Sequence, residues 1–118
     1  MIKVPSQDDR RQDRRVEKVV PLKIKLDDGS LLTETGNISR SGAYCQVTQS
    51  IEPMTKLKIN IALPFKSGSK TTNKKISCEG VIVRVDPDEK NQLFNIAIFF
   101  NDISRKDADT IVEFISLD

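Results

Sequence analysis

Four arginines lie close together near the start of the chain, in the sequence RRQDRR at positions 10–15. Arg11 and Arg15 have three residues between them, and the same spacing separates Arg10 from Arg14. A guanidinium group is permanently charged and planar, so it can hold a phosphate, stack on a base, or form two parallel hydrogen bonds to guanine. Taken alone, such a cluster is more typical of a solvated tail, which neighbouring aspartates partly neutralise.

A second polar motif, NISRSG at positions 37–42, interrupts a stretch that otherwise has the character of β-strands. Asn37 offers an amide donor and a carbonyl acceptor, and Ser39 projects from the same face of an extended chain. Gly42 allows the backbone to turn or to approach a ligand closely. The same residues also stabilise ordinary tight connections, so by itself this motif does not distinguish a site from a turn.

The composition argues against several kinds of site. The chain has no histidine, so the usual zinc sites and histidine-based catalytic triads are unavailable, and no nucleophile–base pair is evident. We therefore expect no catalytic residues, no bound metal and no cofactor. Cys45 and Cys78 lie in strand-like sequence, and in a reducing compartment we expect buried free thiols. The net charge of +2 means that an anionic ligand must be drawn by a local patch of charge.

The elements that must position these motifs are mostly strands. Apolar residues alternate with polar ones in "LKIKL" and "LKINIAL", which is typical of strands with one buried face. Asp28-Gly29 predicts a hairpin turn, Pro21 must begin a strand or lie on an edge, and a change of parity near Gly80 predicts a bulge. Six strands are predicted, over residues 20–26, 31–38, 43–48, 57–63, 76–85 and 93–100.

Two further segments complete this prediction. The basic sequence KSGSKTTNKK, at positions 66–75, is typical of a solvated hairpin loop. The end of the chain has helical spacing, and Ser104 followed by Asp107 forms a plausible capping box, which predicts a helix at about 104–116. The sequence thus predicts a mobile tail over residues 1–17 and one barrel or sandwich domain over residues 18–118.

Considered together, the two motifs resemble those of the PilZ family, the bacterial receptors for cyclic di-GMP. The family's Arg-x-x-x-Arg motif matches Arg11 and Arg15, and its Asp/Asn-x-Ser-x-x-Gly motif matches Asn37, Ser39 and Gly42. Pro21 stands where the family's first strand commonly carries a proline, which identifies Arg11 and Arg15 as the matching pair. The resemblance implies an all-β fold, a six-stranded antiparallel, Greek-key-like barrel with a C-terminal α-helix.

The resemblance also implies a ligand and roles for the residues. Arg11 and Arg15 would contact guanine edges and phosphates of cyclic di-GMP, while Asn37 and Ser39 would hold the rest of the ligand and Gly42 would keep the surface open. Arg10, just before the first motif arginine, is well placed to accommodate a second ligand molecule. A domain of this kind has no output of its own, so we expect ligand-induced ordering of the tail to act on a protein partner.

Three other functions are compatible with the sequence. A degenerate PilZ-like domain would bind a protein and no nucleotide. A single-stranded nucleic-acid binder would stack bases on exposed aromatic residues, but most of the five phenylalanines fall in apolar stretches that the core requires, so no DNA or RNA partner is expected. An enzyme is the weakest alternative. Because no segment has the character of a signal peptide or a membrane span, we expect a cytoplasmic protein without membrane insertion.

Overall fold

The computed structural model describes residues 18–26 and 29–117, which form six strands followed by one helix. The strands are β1 (Pro21–Leu26), β2 (Gly29–Ile38), β3 (Gly42–Val47), β4 (Lys56–Ser67), β5 (Lys70–Asp88) and β6 (Leu93–Asp102). The helix, α1, comprises Arg105–Ile115. Within the described ranges, no helix is long and apolar enough to cross a membrane. The predicted tail over residues 1–17 lies outside the described residues.

All six strands pair antiparallel and close into a barrel in the order β1-β2-β3-β6-β5-β4. The β3–β4 connection joins strands that are not neighbours in the barrel, as in a Greek key. Pro21 is the first residue of β1, where its missing N–H group interrupts no central hydrogen bond. The hairpin predicted from Asp28-Gly29 is confirmed by the pairing of Leu26 with Gly29. The predicted all-β barrel with a C-terminal helix is therefore confirmed.

The interior of the barrel is filled by branched aliphatic side chains that alternate along the strands. Leu22 and Ile24 from β1 and Ile59 and Ile61 from β4 are almost completely buried, as the period-two pattern predicts. Ile111 of α1 is also fully buried and joins the same core. Ser104 caps this helix, because its hydroxyl accepts a hydrogen bond of 3.1 Å from the backbone N–H of Asp107.

The basic segment 66–75 is wrongly predicted as a loop. β4 and β5 remain paired as far as Ser67 and Lys70, so only Gly68 and Ser69 form the turn, with Gly68 at a φ of +63°. Two strands can pair through their backbones without apolar side chains, and a two-residue turn with positive φ is typical of a hairpin. The polar ends of β4 and β5 can therefore extend beyond the core as a two-stranded ribbon. Lys74, within this ribbon, lies 3.5 Å from the Glu113 carboxylate of α1.

The predicted irregularity near Gly80 is confirmed, and it is followed by another. The register of β5 against β6 shifts between Glu79 and Val81, and shifts again between Ile82 and Arg84. The second shift makes Val83 an additional residue on β5, so the inward-facing positions change parity there.

Candidate functional site

The orientation of Asn37 depends on a bulge in β2. The register of β2 against β3 shifts between Thr35 and Asn37, so Gly36 is an additional residue. Thr35 is buried in the barrel wall, and without the shift Asn37, two positions later, would point in the same inward direction. Ile38 instead takes the buried position, and Asn37 is half-buried on the outer side.

The side chain of Asn37 carries an unusual acceptor. Its amide oxygen, Oδ1, is buried and has no hydrogen-bond partner within the part of the chain that the structure describes. Buried polar atoms almost always have a partner, and leaving one without costs about 1–3 kcal/mol. Oδ1 of Asn37 is therefore an unpaired acceptor enclosed by protein atoms, which a donor could reach only if the surrounding side chains move.

A pocket on the outer surface of β2 and β3 is lined by two neighbours of Asn37, the adjacent Gly36 and the cross-strand partner Tyr44, and not by Asn37 itself. Its volume is about 340 Å³, and Gly36, Tyr44 and Gln46 are among the residues that line it. Tyr44 pairs with Asn37 across the two strands and is half-buried. It is the only tyrosine in the chain. An aromatic ring next to an amide can stack on a planar base while the amide contacts the edge of that base.

Ser39 lies in the short connection between β2 and β3 and is fully buried. Its backbone N–H donates to the carbonyl oxygen of Gly42 at 2.8 Å. Its hydroxyl accepts from the N–H of Ser41 at 3.2 Å and lies 3.4 Å from the carbonyl oxygen of Gly42. These contacts hold the connection in a tight turn, so in this structure the Ser39 hydroxyl is engaged within the turn itself.

Gly42 is required by the neighbouring strand. A Cβ atom at this position would overlap the carbonyl oxygen of Ile98 on β6, and the backbone of Phe99 is also close. Gly42 is not among the residues with positive φ. The absence of a side chain therefore allows β6 to approach β3 closely. The sequence had indicated that a glycine here serves a turn or the close approach of a ligand.

The segment that precedes β1 is fixed to β2 beside this surface. The hydroxyl of Thr35 donates to the carbonyl oxygen of Lys18 at 2.6 Å and accepts from the N–H of Val20 at 3.1 Å. The N–H of Thr35 also donates to the carbonyl oxygen of Val20 at 3.0 Å. The Lys18 ammonium donates to the carbonyl oxygen of Phe114 at 3.1 Å, near the end of α1. Residues 18–20 therefore connect β2 with the C-terminal end of the helix.

The sequence matches the family model described as PilZ domain over residues 9–117. The chain belongs to the PilZ domain family. This match covers nearly the whole chain and includes both polar motifs. A comparison with curated protein sequences found no match.

Two solved structures have the same fold as this PilZ domain. The Bacillus subtilis inhibitor of motility, MotI/DgrA, has a TM-score of 0.75 and 20% identity, and the alignment covers 94% of this chain. The chain spans about half of MotI/DgrA, 54% of its length. The PilZ domain of YcgR from Escherichia coli, solved with c-di-GMP, has a TM-score of 0.62 and 13% identity over 92% of this chain and 91% of that one.

The structure brings part of the predicted site together. Asn37, Ser39 and Gly42 of this PilZ domain lie within one β2–turn–β3 unit, where Asn37 is on the outer surface and Ser39 and Gly42 are buried. The predicted Arg10, Arg11 and Arg15 lie outside the described residues, so their placement at the site remains a prediction.

Sequence reasoning missed Thr35, Gly36 and Tyr44. Gly36 had a recognisable signal, because a glycine inside a strand often marks a bulge. Tyr44 could have been found from its place just after the motif glycine. Thr35 had no such signal, since a threonine in a strand is common and its partners lie far from it in sequence. Among the described residues, no group of three or more potential metal-ligating side chains is present.

Proposed function

We propose that this PilZ domain is a bacterial receptor that binds cyclic di-GMP on the outer surface of β2 and β3. The observation that carries this proposal is the buried Oδ1 of Asn37, which has no partner among the described residues, next to Gly36 and Tyr44, which line a pocket. The PilZ domain of YcgR, which shares the fold, was solved with c-di-GMP. Nothing in the proposal requires a catalytic step.

Guanine fits the chemistry of this pocket. Its Watson–Crick edge presents N–H donors beside a carbonyl acceptor, and an asparagine amide presents one acceptor and two donor hydrogens. Asn37 would accept from guanine and so satisfy an atom that has no partner among the described residues. Tyr44, opposite Asn37 on β3, would supply an aromatic surface for the same base.

The arginines would supply charge and further base contacts. Arg15 precedes Lys18 by three residues, a distance of at most about 11 Å along an extended chain. Because Lys18 is bonded to Thr35, two positions before Asn37, Arg15 and Asn37 can contact one small ligand. Arg11 and Arg15 would then neutralise the two phosphates and bond to guanine, as the family resemblance implies.

We assign Ser39 and Gly42 mainly to the shape of the turn. Ser39 would hold the Asn37–Gly42 unit rigid through its bonds to Ser41 and Gly42, and it would reach a phosphate oxygen only if the turn rearranged on binding. Gly42 would preserve the close contact between β3 and β6. Both residues would therefore act on binding through the position of Asn37.

Signal output would begin at Lys18. Ligand contacts to the arginine segment would pull on residues 18–20, and Lys18 connects these to the carbonyl oxygen and ring of Phe114 in α1. The helix end is thus linked to the ligand site through one lysine side chain. A protein partner that recognises this end of the molecule would detect binding without any enzymatic reaction.

Isothermal titration with cyclic di-GMP tests the proposal. Asn37→Ala should bind at least about tenfold more weakly, since one or more charge-neutral hydrogen bonds to guanine are lost. Its melting temperature should stay the same or rise, because an unpaired buried oxygen is removed. Asn73→Ala, an exposed change on the β4–β5 ribbon, is the matched control.

Two results would reject the receptor function. Absence of heat with wild-type protein would favour a degenerate domain that binds only protein. Displacement of cyclic di-GMP by a single-stranded oligonucleotide at similar concentration would favour the nucleic-acid binder instead.

We further propose that two cyclic di-GMP molecules bind per chain. A guanidinium at Arg10 can stack on an additional guanine or offset the added phosphate charge, which an aliphatic side chain cannot do. Titration should give a ratio near two for wild type and near one for Arg10→Leu. A wild-type ratio of one would reject the role of Arg10 and leave the receptor function intact.

A further inference from the structure

The outer face of β1, β4 and β5 carries a group of lysines that the nucleotide site does not use. Lys23 and Lys25 project from β1, Lys58 from β4 and Lys75 from β5, and all four side chains are exposed. None of them forms an ion pair with another described residue. We call these four residues the lysine face.

The lysines surround one polar pair. The Ser77 hydroxyl donates to Oδ1 of Asn60 at 2.7 Å, and these two residues lie in both grooves of this surface. Lys23 and Lys75 line one groove, and Lys25 and Lys58 line the other. The strand pairing fixes the backbone positions of the four lysines around this neutral centre.

Part of this pattern is unfavourable for the folded protein. Lys25 and Lys58 are direct cross-strand partners, and like charges directly opposite each other destabilise a sheet. A partner that brings negative charge to this face would relieve the repulsion. On its other side Lys58 pairs with Glu79 of β5, whose opposite charge offsets part of this repulsion in the free domain.

The lysine face and the proposed nucleotide site are neighbouring parts of the barrel wall. The groove lined by Lys23 and Lys75 shares Glu34 and Gln46 with the pocket of the nucleotide site, whereas the groove lined by Lys25 and Lys58 shares no residue with it. Lys23 pairs with Leu32 and Lys25 with Ser30 on β2. Asn37 lies five to seven residues further along that strand, which is roughly 16–24 Å. A single ligand the size of cyclic di-GMP at Asn37 would not reach Lys25.

The surrounding charges indicate the class of partner. Three carboxylates, those of Glu34, Glu79 and Asp102, border the same grooves. A nucleic acid or an anionic membrane is negative throughout and would be repelled by that border. Among the residues that line the two grooves there is also no aromatic ring on which a base could stack. A protein surface can instead place carboxylates at the centre and neutral or basic groups at the edge.

We propose that the lysine face docks an acidic surface of a partner protein. Binding there does not require cyclic di-GMP, so the proposal goes beyond the receptor function. It provides a place where the domain can be held on its target while the nucleotide site, on another part of the barrel, senses the ligand.

The test uses poly-L-glutamate as an acidic polypeptide, with fluorescence anisotropy of the labelled polymer as the measurement. Wild type should bind at low salt and weaken as salt is added. The variant Lys23→Glu with Lys25→Glu should bind about tenfold more weakly or worse. The control, Lys66→Glu with Lys70→Glu, makes the same change of net charge at the exposed end of the β4–β5 ribbon and should bind within about twofold of wild type.

Parallel measurements test whether the variants still fold and which class of partner the lysine face binds. Lys23→Gln with Lys25→Gln removes charge without adding carboxylates and should show an intermediate loss at an unchanged melting temperature. Cyclic di-GMP titration of all variants separates the two surfaces, because the lysine-face changes should weaken poly-L-glutamate binding more than cyclic di-GMP binding. Equal losses in the lysine-face and control variants, or no binding by wild type, would overturn the proposal. Tighter binding to a DNA oligonucleotide or to phosphatidylserine vesicles than to poly-L-glutamate would also overturn it.

Discussion

The hydroxyl of Thr35 donates a 2.6 Å hydrogen bond to the carbonyl oxygen of Lys18 and thereby fixes the start of the barrel to β2. These residues are 17 positions apart in sequence. The same hydroxyl accepts from the N–H of Val20. The contact joins Lys18, three positions after Arg15, to the strand that carries Asn37, so it would link the two halves of the proposed site.

Replacement of Thr35 by valine should therefore affect both stability and binding. The hydroxyl is lost, and the buried carbonyl and N–H groups of residues 18–20 lose a partner. We expect a decrease of about 1–3 kcal/mol in the free energy of unfolding, measured by urea denaturation, and weaker binding of cyclic di-GMP. Thr33→Val is the matched control, because Thr33 also donates at 2.6 Å, to Gln46, but from an exposed position. If Thr35→Val binds cyclic di-GMP as tightly as wild type, the attachment of residues 18–20 to β2 does not contribute to ligand binding.

Arg15→Ala should nearly abolish binding of cyclic di-GMP and leave the melting temperature unchanged. A lost bidentate guanine contact costs about 1–3 kcal/mol of discrimination, and a lost phosphate contact would add to that. Arg14→Ala, one position earlier, removes the same charge outside the motif and should bind far better than Arg15→Ala. Equal affinities of the two variants would indicate that only general charge attracts the ligand.

Gly42→Ala should destabilise the barrel more than an exposed glycine-to-alanine change does. The new Cβ would overlap the carbonyl oxygen of Ile98, so β3 and β6 must separate locally. Gly36→Ala is the control, since the nearest atom to a Cβ there, the carbonyl oxygen of Tyr44, is 3.6 Å away. Thermal melting should show a clear decrease only for Gly42→Ala, and equal melting temperatures would show that β6 can move freely.

Both cysteines should remain neutral thiols up to high pH in the folded protein. Burial raises the pKa of Cys45 from 9.0 to about 12. Burial, and then the charges of Asp107 and Asp102, raise the pKa of Cys78 to about 12 as well. At pH 8, a thiol reagent should therefore react with the native protein much more slowly than with protein unfolded in urea.

The same pKa values predict how stability depends on pH. Above pH 9 the unfolded chain loses thiol protons that the folded chain keeps, so the free energy of unfolding should fall between about pH 9 and 12. The double variant Cys45→Val with Cys78→Ala should lose less stability over that range than wild type. An equal loss in both proteins would assign the effect to other groups.

The sequence alone determined the barrel to a large extent. Leu22 and Ile24 alternate with polar residues, so only one strand register buries both of them. Ile111 and Ile115 instead have helical spacing, which predicts a helix at the end of the chain. The two polar motifs indicated the family because each is a short pattern of residues that can be read directly from the sequence. The ribbon over residues 66–75 was mispredicted because its pairing depends on the backbone, and its side chains carry no apolar alternation.

Only the tertiary structure decided how the motif residues are used. Asn37 faces outward because β2 has one additional residue, Gly36, relative to β3. Such a shift is a property of the pairing of two strands and cannot be read from one strand alone. Gly42 is needed because β6, distant in sequence, passes too close for a side chain. Thr35 matters because its hydroxyl meets the backbone of residues 18–20 across the barrel wall. The roles of Gly42 and Thr35 depend on contacts between segments far apart in the chain, and that of Asn37 depends on the register between two adjacent strands. No local pattern contains either kind of contact.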